Sequence, residues 1–188
     1  VELDLGSLAS VDAAAKKIAA KHDRIDILMC NAGVMALPQG TTEDGFDTQM
    51  GTNVLGHWAL ISHLLPIIVA TPGARVVTLS STAQHTGRAI DPADPHMRKN
   101  FDAWRMYGQT KLACEHLLRW YRNKHGIAVG AARFPWVYGP GRENGITALY
   151  SSKLLDAIAR HQPLDIDFPE ETGDWLYVRD AVKALLLL

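Results

Sequence analysis

Cysteine is almost missing from this sequence: Cys30 and Cys114 are the only two in 188 residues. They lie too far apart for a C-x-x-C pair and match no metal-ligand spacing, so no disulfide framework or metal site is expected. Free thiols of this kind fit a reducing compartment, and the cytoplasm is the expected location. An excess of either charge is missing too. With 19 basic against 20 acidic residues the formal net charge is −1, which gives no electrostatic case for a nucleic-acid partner or a membrane surface. No apolar run in the sequence approaches the ~18 residues that a membrane span needs, and the start lacks the layout of a signal peptide. Internal repeats and low-complexity tracts are not apparent.

What is present is a 47% hydrophobic chain, long enough to bury a substantial core. Val1–Leu5 reads as the end of a strand. Ser10 or Asp12 can cap a helix whose apolar face is Val11, Ala14, Ala15, Ile18 and Ala19. Ile25–Cys30 is a short, nearly continuous apolar run, of the kind buried on both faces of a parallel sheet. It leads into Asn31-Ala32-Gly33, where small residues let backbone come close to something. A strand, a helix and a strand in this order imply a right-handed crossover.

Thr42 is a plausible start for the next helix, whose stripe is Phe46, Met50, Asn53, His57, Ile61, Leu64 and Ile68, with Pro66 expected to kink its last turns. Asn53 is out of place on that stripe. A buried amide without partners costs roughly 1–3 kcal/mol, so it must be bonded to something, which a neighbouring carbonyl would satisfy. His57, one turn on, reads as a core or pocket-wall histidine. Ala74–Ser81 is a β-branched strand ending in hydroxyls, and ligands of open α/β sheets sit outside such carboxyl ends. The polar, proline-bearing stretch from Thr82 to Arg105 reads as a lid or binding loop.

The helical segment that follows opens with Met106-Tyr107-Gly108-Gln109-Thr110-Lys111. Residues four apart share a helix face, which puts the Lys111 ammonium within reach of the Tyr107 phenol. A free tyrosine has a pKa of about 10, and a neighbouring cation favours the phenolate. A Y-x-x-x-K pair also arises easily by chance on a helix surface.

Asp4-Leu5, Asn31-Ala32-Gly33, Asn53-Val54-Leu55-Gly56, Ser80-Ser81 and Tyr107-x-x-x-Lys111 come in the order and approximate spacing of the short-chain dehydrogenase/reductase family. From Val1 to about Gly126 the chain resembles its retinol-dehydrogenase-like branch, notably in Asp47–Asn53. The resemblance implies an α/β fold of the NAD(P)-binding Rossmann type, a parallel sheet flanked by helices on both faces. It also implies NAD or NADP as cofactor and a small-molecule alcohol or carbonyl as substrate. By resemblance, Tyr107 is the acid-base group on the substrate oxygen. Lys111 lowers its pKa and holds the nicotinamide ribose, and Ser81 bonds the reacting oxygen. Asn53 anchors a water-mediated proton relay to Lys111. Asn31, Ala32 and Gly33 line the adenosine side of the cofactor, and Asp4 and Leu5 touch the adenine.

Beyond Gly126 the chain is similar to the extended branch of the family, the nucleotide-sugar epimerases and dehydratases. Arg133-Phe134-Pro135-Trp136-Val137-Tyr138-Gly139-Pro140-Gly141 and Tyr177-Val178-Arg179-Asp180-Ala181 carry that likeness. Phe134 and Pro135 would border the nicotinamide pocket; Asp180 suits a helix N-terminus. The expected organisation is a partial Rossmann core with the catalytic motifs over 1–135 and a truncated substrate-binding region over 136–188. The expected function is NAD(P)-dependent interconversion of an alcohol and a carbonyl. The alternatives are an extended-type epimerase, dehydratase or sugar-nucleotide reductase, and a non-catalytic dimerisation or scaffolding module of the same fold.

Helices over 42–70 and 104–125 are expected to form a two-fold homodimer, with Trp104, Trp120 and Tyr121 as contacts. Phe101, Trp104, Trp136, Leu149 and Tyr150 favour a lipophilic substrate, and Arg142 a phosphate or carboxylate. A helix is expected over Ser151–Arg160 with Leu154, Leu155 and Ile158 inward, then a short strand near Leu164, Asp165 and Ile166, then a helix from Ala181.

No G-x-x-x-G-x-G turn occurs in these 188 residues, and the sequence reads as a fragment or composite of a longer protein. The pyrophosphate of a dinucleotide rests on backbone N–H groups of such a turn and on the helix behind it. The 188-residue chain by itself is therefore expected to show no micromolar binding of NAD or NADP in a calorimetric titration.

Overall fold

The computed structural model describes residues 1–87, 91–140, 152–165 and 173–188. The chain forms two compact units, Val1–Arg133 together with Leu188, and Phe134–Leu187.

In the first unit Val1–Leu5 is not a strand. The Asp4 side chain accepts from Gly6 N at 2.8 Å, a turn that bends the backbone away from extension. Helix α1 (Leu8–Ala19) is capped by Ser7, whose side chain accepts from Ser10 N, rather than by Ser10 or Asp12. Ser10 Oγ accepts from Asp4 N instead, at 2.9 Å, and Asp12 pairs with Lys16 one turn on. The helix buries Val11, Ala14 and Ala15 as its spacing requires.

Strand β1 (Ile27–Cys30) runs parallel to β2 (Arg75–Ser81), with Ile27 opposite Arg75 and Cys30 opposite Thr78. The sheet order is β1-β2-β3, where β3 is Ala128–Phe134. The expectation that β1 is covered on both faces is corrected, since Ile27 and Met29 remain 42% and 38% exposed. A short apolar run does not by itself say which of its faces is covered.

The next helical run begins at Thr48 and not at Thr42. Asp47 caps it by accepting from Gln49 N at 2.9 Å and Met50 N at 3.0 Å. Thr42 sits instead in a tight turn closed by its own N–H to Phe46 O at 2.8 Å, so Phe46 lies before the helical stripe. From there α2 (Thr48–Met50) passes through a π-helical turn (Gly51–Leu55) into α3 (Gly56–Ala70), which continues past Pro66. By length and composition Thr48–Ala70 would suffice to cross a membrane, which corrects the expectation that no such run exists. Within this fold its Leu60, Ile61, Leu64 and Ile68 belong to the core.

A 3-10 turn (Thr82–Thr86) follows β2. Helix α4 (Ala103–His125) is capped by Asp102 and closed by Gly126 at φ 67°, a left-handed position that glycine occupies without strain. Leu118 and Tyr121 of α4 meet Val11 of α1, the α3 stripe and Val76 of β2 in one core. Tyr121 is 1% exposed, with its hydroxyl 2.7 Å from Ser62 Oγ. It is thereby corrected from a subunit contact to a core residue.

The second unit holds two short parallel strands, β4 (Trp136–Tyr138) and β5 (Trp175–Tyr177), with Trp136 opposite Trp175 and Tyr138 opposite Tyr177. Helix α5 spans Leu154–Ala159 and helix α6 Val178–Leu187. In α5 the inward residue is Ala157, whereas Leu155 and Ile158 are exposed. Leu164 and Asp165 have no regular structure. Gly141, Arg142, Leu149, Tyr150 and Ile166 lie outside the described residues, and so does part of the stretch expected to act as a lid, at 88–90.

Leu64 is fully buried where α1, α3 and α4 meet. Leu64→Ala is expected to lower the unfolding free energy by about 2–5 kcal/mol, the range for emptying a leucine-sized space in a packed core. A denaturant titration that moves the midpoint without changing the slope checks it.

Candidate active site

The carboxyl end of β2 and the first turns of α4 hold the residues of interest. Tyr107 and Lys111 stand one turn apart on α4, with Lys111 Nζ 5.4 Å from the Tyr107 ring centroid. The lysine is 6% exposed and donates to Leu79 O at 2.9 Å. Burial pulls its pKa below the ordinary lysine value, and the nearby Cys114 opposes that in part.

Asn53 lies in the π-helical turn between α2 and α3, 2% exposed. Its amide is fully engaged, which answers the question that its burial raises. Oδ1 accepts from Val34 N at 2.8 Å, and Nδ2 donates to Val34 O at 2.8 Å and Thr110 Oγ1 at 3.1 Å. Thr110 is itself wholly buried and donates to Tyr107 O at 2.7 Å. One amide thus ties the loop after β1 to the turn that carries Tyr107 and Lys111. π-Helical turns are rare, and they concentrate where a side chain must be aimed at a functional position. The Asn53 carbonyl accepts from Cys114 Sγ at 3.2 Å and lies 3.0 Å from His57 Nδ1. His57 is a wall histidine, its pKa lowered by burial. Burial pushes the Cys30 and Cys114 thiols up, to about 12 and about 11, so neither is a nucleophile near neutral pH.

Gly33 meets the same place from the side of β1. A Cβ built on it would stand 3.0 Å from Asn53 Oδ1 and 3.7 Å from Lys111 Nζ. Asn31, Ala32 and Gly33 are exposed at the carboxyl end of β1. Ser81 closes β2, half-buried, and its Oγ accepts from Ala83 N at 3.1 Å. Gly33, Asn53, Tyr107 and Lys111 are therefore brought together, with Ser81 two residues beyond the carbonyl that Lys111 holds. Asp4 N donates to Ser10 Oγ, and Leu5 O would lie 2.3 Å from a Cβ on Gly56, three residues beyond Asn53. Phe134 ends β3 and Pro135 follows it, both in the second unit.

Three features were not anticipated from the sequence. Thr110 bridges Asn53 and Tyr107. Glu115, four residues past Lys111, binds Ser80 and Arg133, and its place on the Tyr107/Lys111 face was the available signal. Gly108 is the third. Its ideal Cβ would fall 2.5 Å from Ala83 O and 2.6 Å from Thr86 Oγ1, so the backbone of the turn after Ser81 rests directly on α4 beside Tyr107.

A Tyr/Lys pair with a hydroxyl at the end of the neighbouring strand, on a parallel sheet flanked by helices, defines an α/β protein of the Rossmann type. The NAD dependent epimerase/dehydratase family model matches residues 2–188, and the chain belongs to that family. It is 44% identical over 112 residues to retinol dehydrogenase 13 of Mus musculus, covering 59% of this chain and 33% of that protein. To the short-chain dehydrogenase/reductase prx1 of Penicillium roqueforti it is 34% identical over 130 residues, 67% of this chain and 38% of that protein. The chain thus spans about a third of the length of the curated relatives it matches. Among solved structures, an uncharacterized protein from Mycobacterium paratuberculosis aligns with TM-score 0.58 and 34% identity over 88% of this chain and 59% of that one. A blue fluorescent protein from a metagenomic library, in complex with NADPH, shares the fold with TM-score 0.63 and 18% identity over 99% and 66% of the two chains.

Gly108→Ala is expected to lift the 3-10 turn off α4, because the obstructing Ala83 O belongs to backbone and cannot rotate away. The cost should be about 1–3 kcal/mol. Hydrogen exchange at the amides of residues 83–87 should quicken by more than it does in the core strands.

Proposed function

We propose that the protein of which this chain is part is a nicotinamide-dependent oxidoreductase interconverting an alcohol and a carbonyl. The observation that carries this reading is the buried Lys111 held at the end of β2 with its ammonium over the Tyr107 ring. Tyr107 exchanges a proton with the substrate oxygen through its phenol, and Lys111 favours the phenolate. Ser81 accepts a backbone N–H, which leaves its own hydroxyl hydrogen to donate to the reacting oxygen. Asn53 fixes the loop after β1 in place, and the proton relay to Lys111 belongs to this reading as well.

A nicotinamide dinucleotide, NAD or NADP, suits this carboxyl end. Gly33 leaves open the space that a Cβ would take beside Asn53 and Lys111, and the exposed Asn31 and Ala32 continue that opening. Lys111 would hold the ribose, and Asn31–Gly33 would line the adenosine side. The cofactor supplies hydride chemistry when bound. Retinol dehydrogenase 13 and prx1 are oxidoreductases by name, and their likeness to this chain supports the same class.

A second reading, an extended-type sugar-nucleotide epimerase or dehydratase, is favoured by a family match that runs through residue 188. A two-fold homodimer accompanies the first reading, with the exposed Trp104 and Trp120 on α4 as its contacts.

In the complete protein Tyr107→Phe is expected to reduce turnover by at least about 10²-fold, the lower range for a lost general acid-base group, with cofactor binding nearly unchanged. Lys111→Ala should damage both. An aliphatic ketone and a sugar nucleotide assayed side by side separate the readings: preference for the sugar nucleotide would overturn the first.

A further inference from the structure

Glu115 occupies the α4 face of Tyr107 and Lys111, four residues beyond the lysine and eight beyond the tyrosine. Its side chain is 9% exposed and receives three hydrogen bonds. Ser80 Oγ donates to Oε1 at 2.6 Å, Arg133 Nε to Oε1 at 2.8 Å, and Arg133 Nη2 to Oε2 at 2.6 Å. Ser80 precedes Ser81 on β2, and Arg133 lies on β3, the next strand of the sheet. One turn earlier, Lys111 grips the backbone of Leu79. Helix α4 is therefore pinned to consecutive residues of β2, once through Lys111 and once through Glu115, and Glu115 extends the grip to β3.

We infer that Glu115 is a positioning residue, which holds α4 in register with the carboxyl end of β2 so that Tyr107 and Lys111 stay aligned with Ser81. The inference rests on the oxidoreductase reading above. Energetics separate this role from simple stabilisation. The Arg133 side chain is 49% exposed, and a solvent-screened ion pair adds little to stability. Alignment is more demanding, because a displacement of about 1 Å at a reacting group can cost on the order of 10²-fold in rate. Arg133 beside Glu115 holds its carboxyl below the ordinary carboxylate range, so the clamp persists across the neutral range.

The test uses steady-state kinetics and thermal unfolding of the complete protein, with an aliphatic ketone as substrate. Glu115→Ala is expected to lower kcat by roughly 10- to 100-fold, with KM, dinucleotide affinity and Tm little changed. Glu115→Gln keeps an acceptor for Ser80 at the same length and should recover most of the lost turnover. If the wild type turns over while Glu115→Ala keeps its kcat within about twofold, or if kcat falls only in step with the folded fraction, the positioning role is wrong and the oxidoreductase reading stands. A wild type that reduces no carbonyl overturns that reading and the inference together.

Discussion

A lysine at 6% exposure, Lys111, is the constraint that shapes the first unit. Removing a charged group from water is costly unless hydrogen bonds replace the lost solvation. Lys111 meets this with the Leu79 carbonyl, an acceptor that exists only because β2 ends beside α4. Burial still shows as a lowered pKa. A fold that retains such a group spends stability on it, as sites do when they hold a cation where charge will develop.

Around that lysine the backbone is drawn unusually close, and hydrogen bonds fix what the glycines permit. Gly33 leaves space next to the Asn53 amide, and Gly108 lets the turn after Ser81 lie on α4. Asn53 spends its whole amide on Val34 and Thr110, which ties the loop after β1 to the helix of Tyr107. In the π-helical turn at Gly51–Leu55 the Asn53 carbonyl accepts from a thiol and lies 3.0 Å from an imidazole nitrogen. Three separate segments are thereby fixed to one another by bonds too short to tolerate much relative movement.

The two likenesses of the chain differ in extent. The relatives named as dehydrogenases match 112 to 130 residues, whereas the epimerase/dehydratase model runs from residue 2 to residue 188. Glu115 and Arg133 both fall within the family match. One lies in the helix of the Tyr/Lys motif and the other on β3 at the end of the first unit, and their bidentate pair ties α4 to that strand.

Local chemistry in the sequence determined the parallel α/β class, the strand at Ala74–Ser81, the long helix of Tyr107 and Lys111, and the burial of Asn53 and His57. These follow from apolar periodicity and residue spacing, which act over a few residues. Cap and turn choices escaped because several neighbouring residues could serve: Ser7 rather than Ser10, and Asp47 rather than Thr42, accept the first helical N–H groups. The open face of β1, the core position of Tyr121, the partners of the Asn53 amide and the Ser80–Glu115–Arg133 clamp were decided by tertiary structure alone. Each depends on groups 18 to 63 residues apart in sequence, and a spacing rule cannot reach a partner that only the packing of other elements brings near.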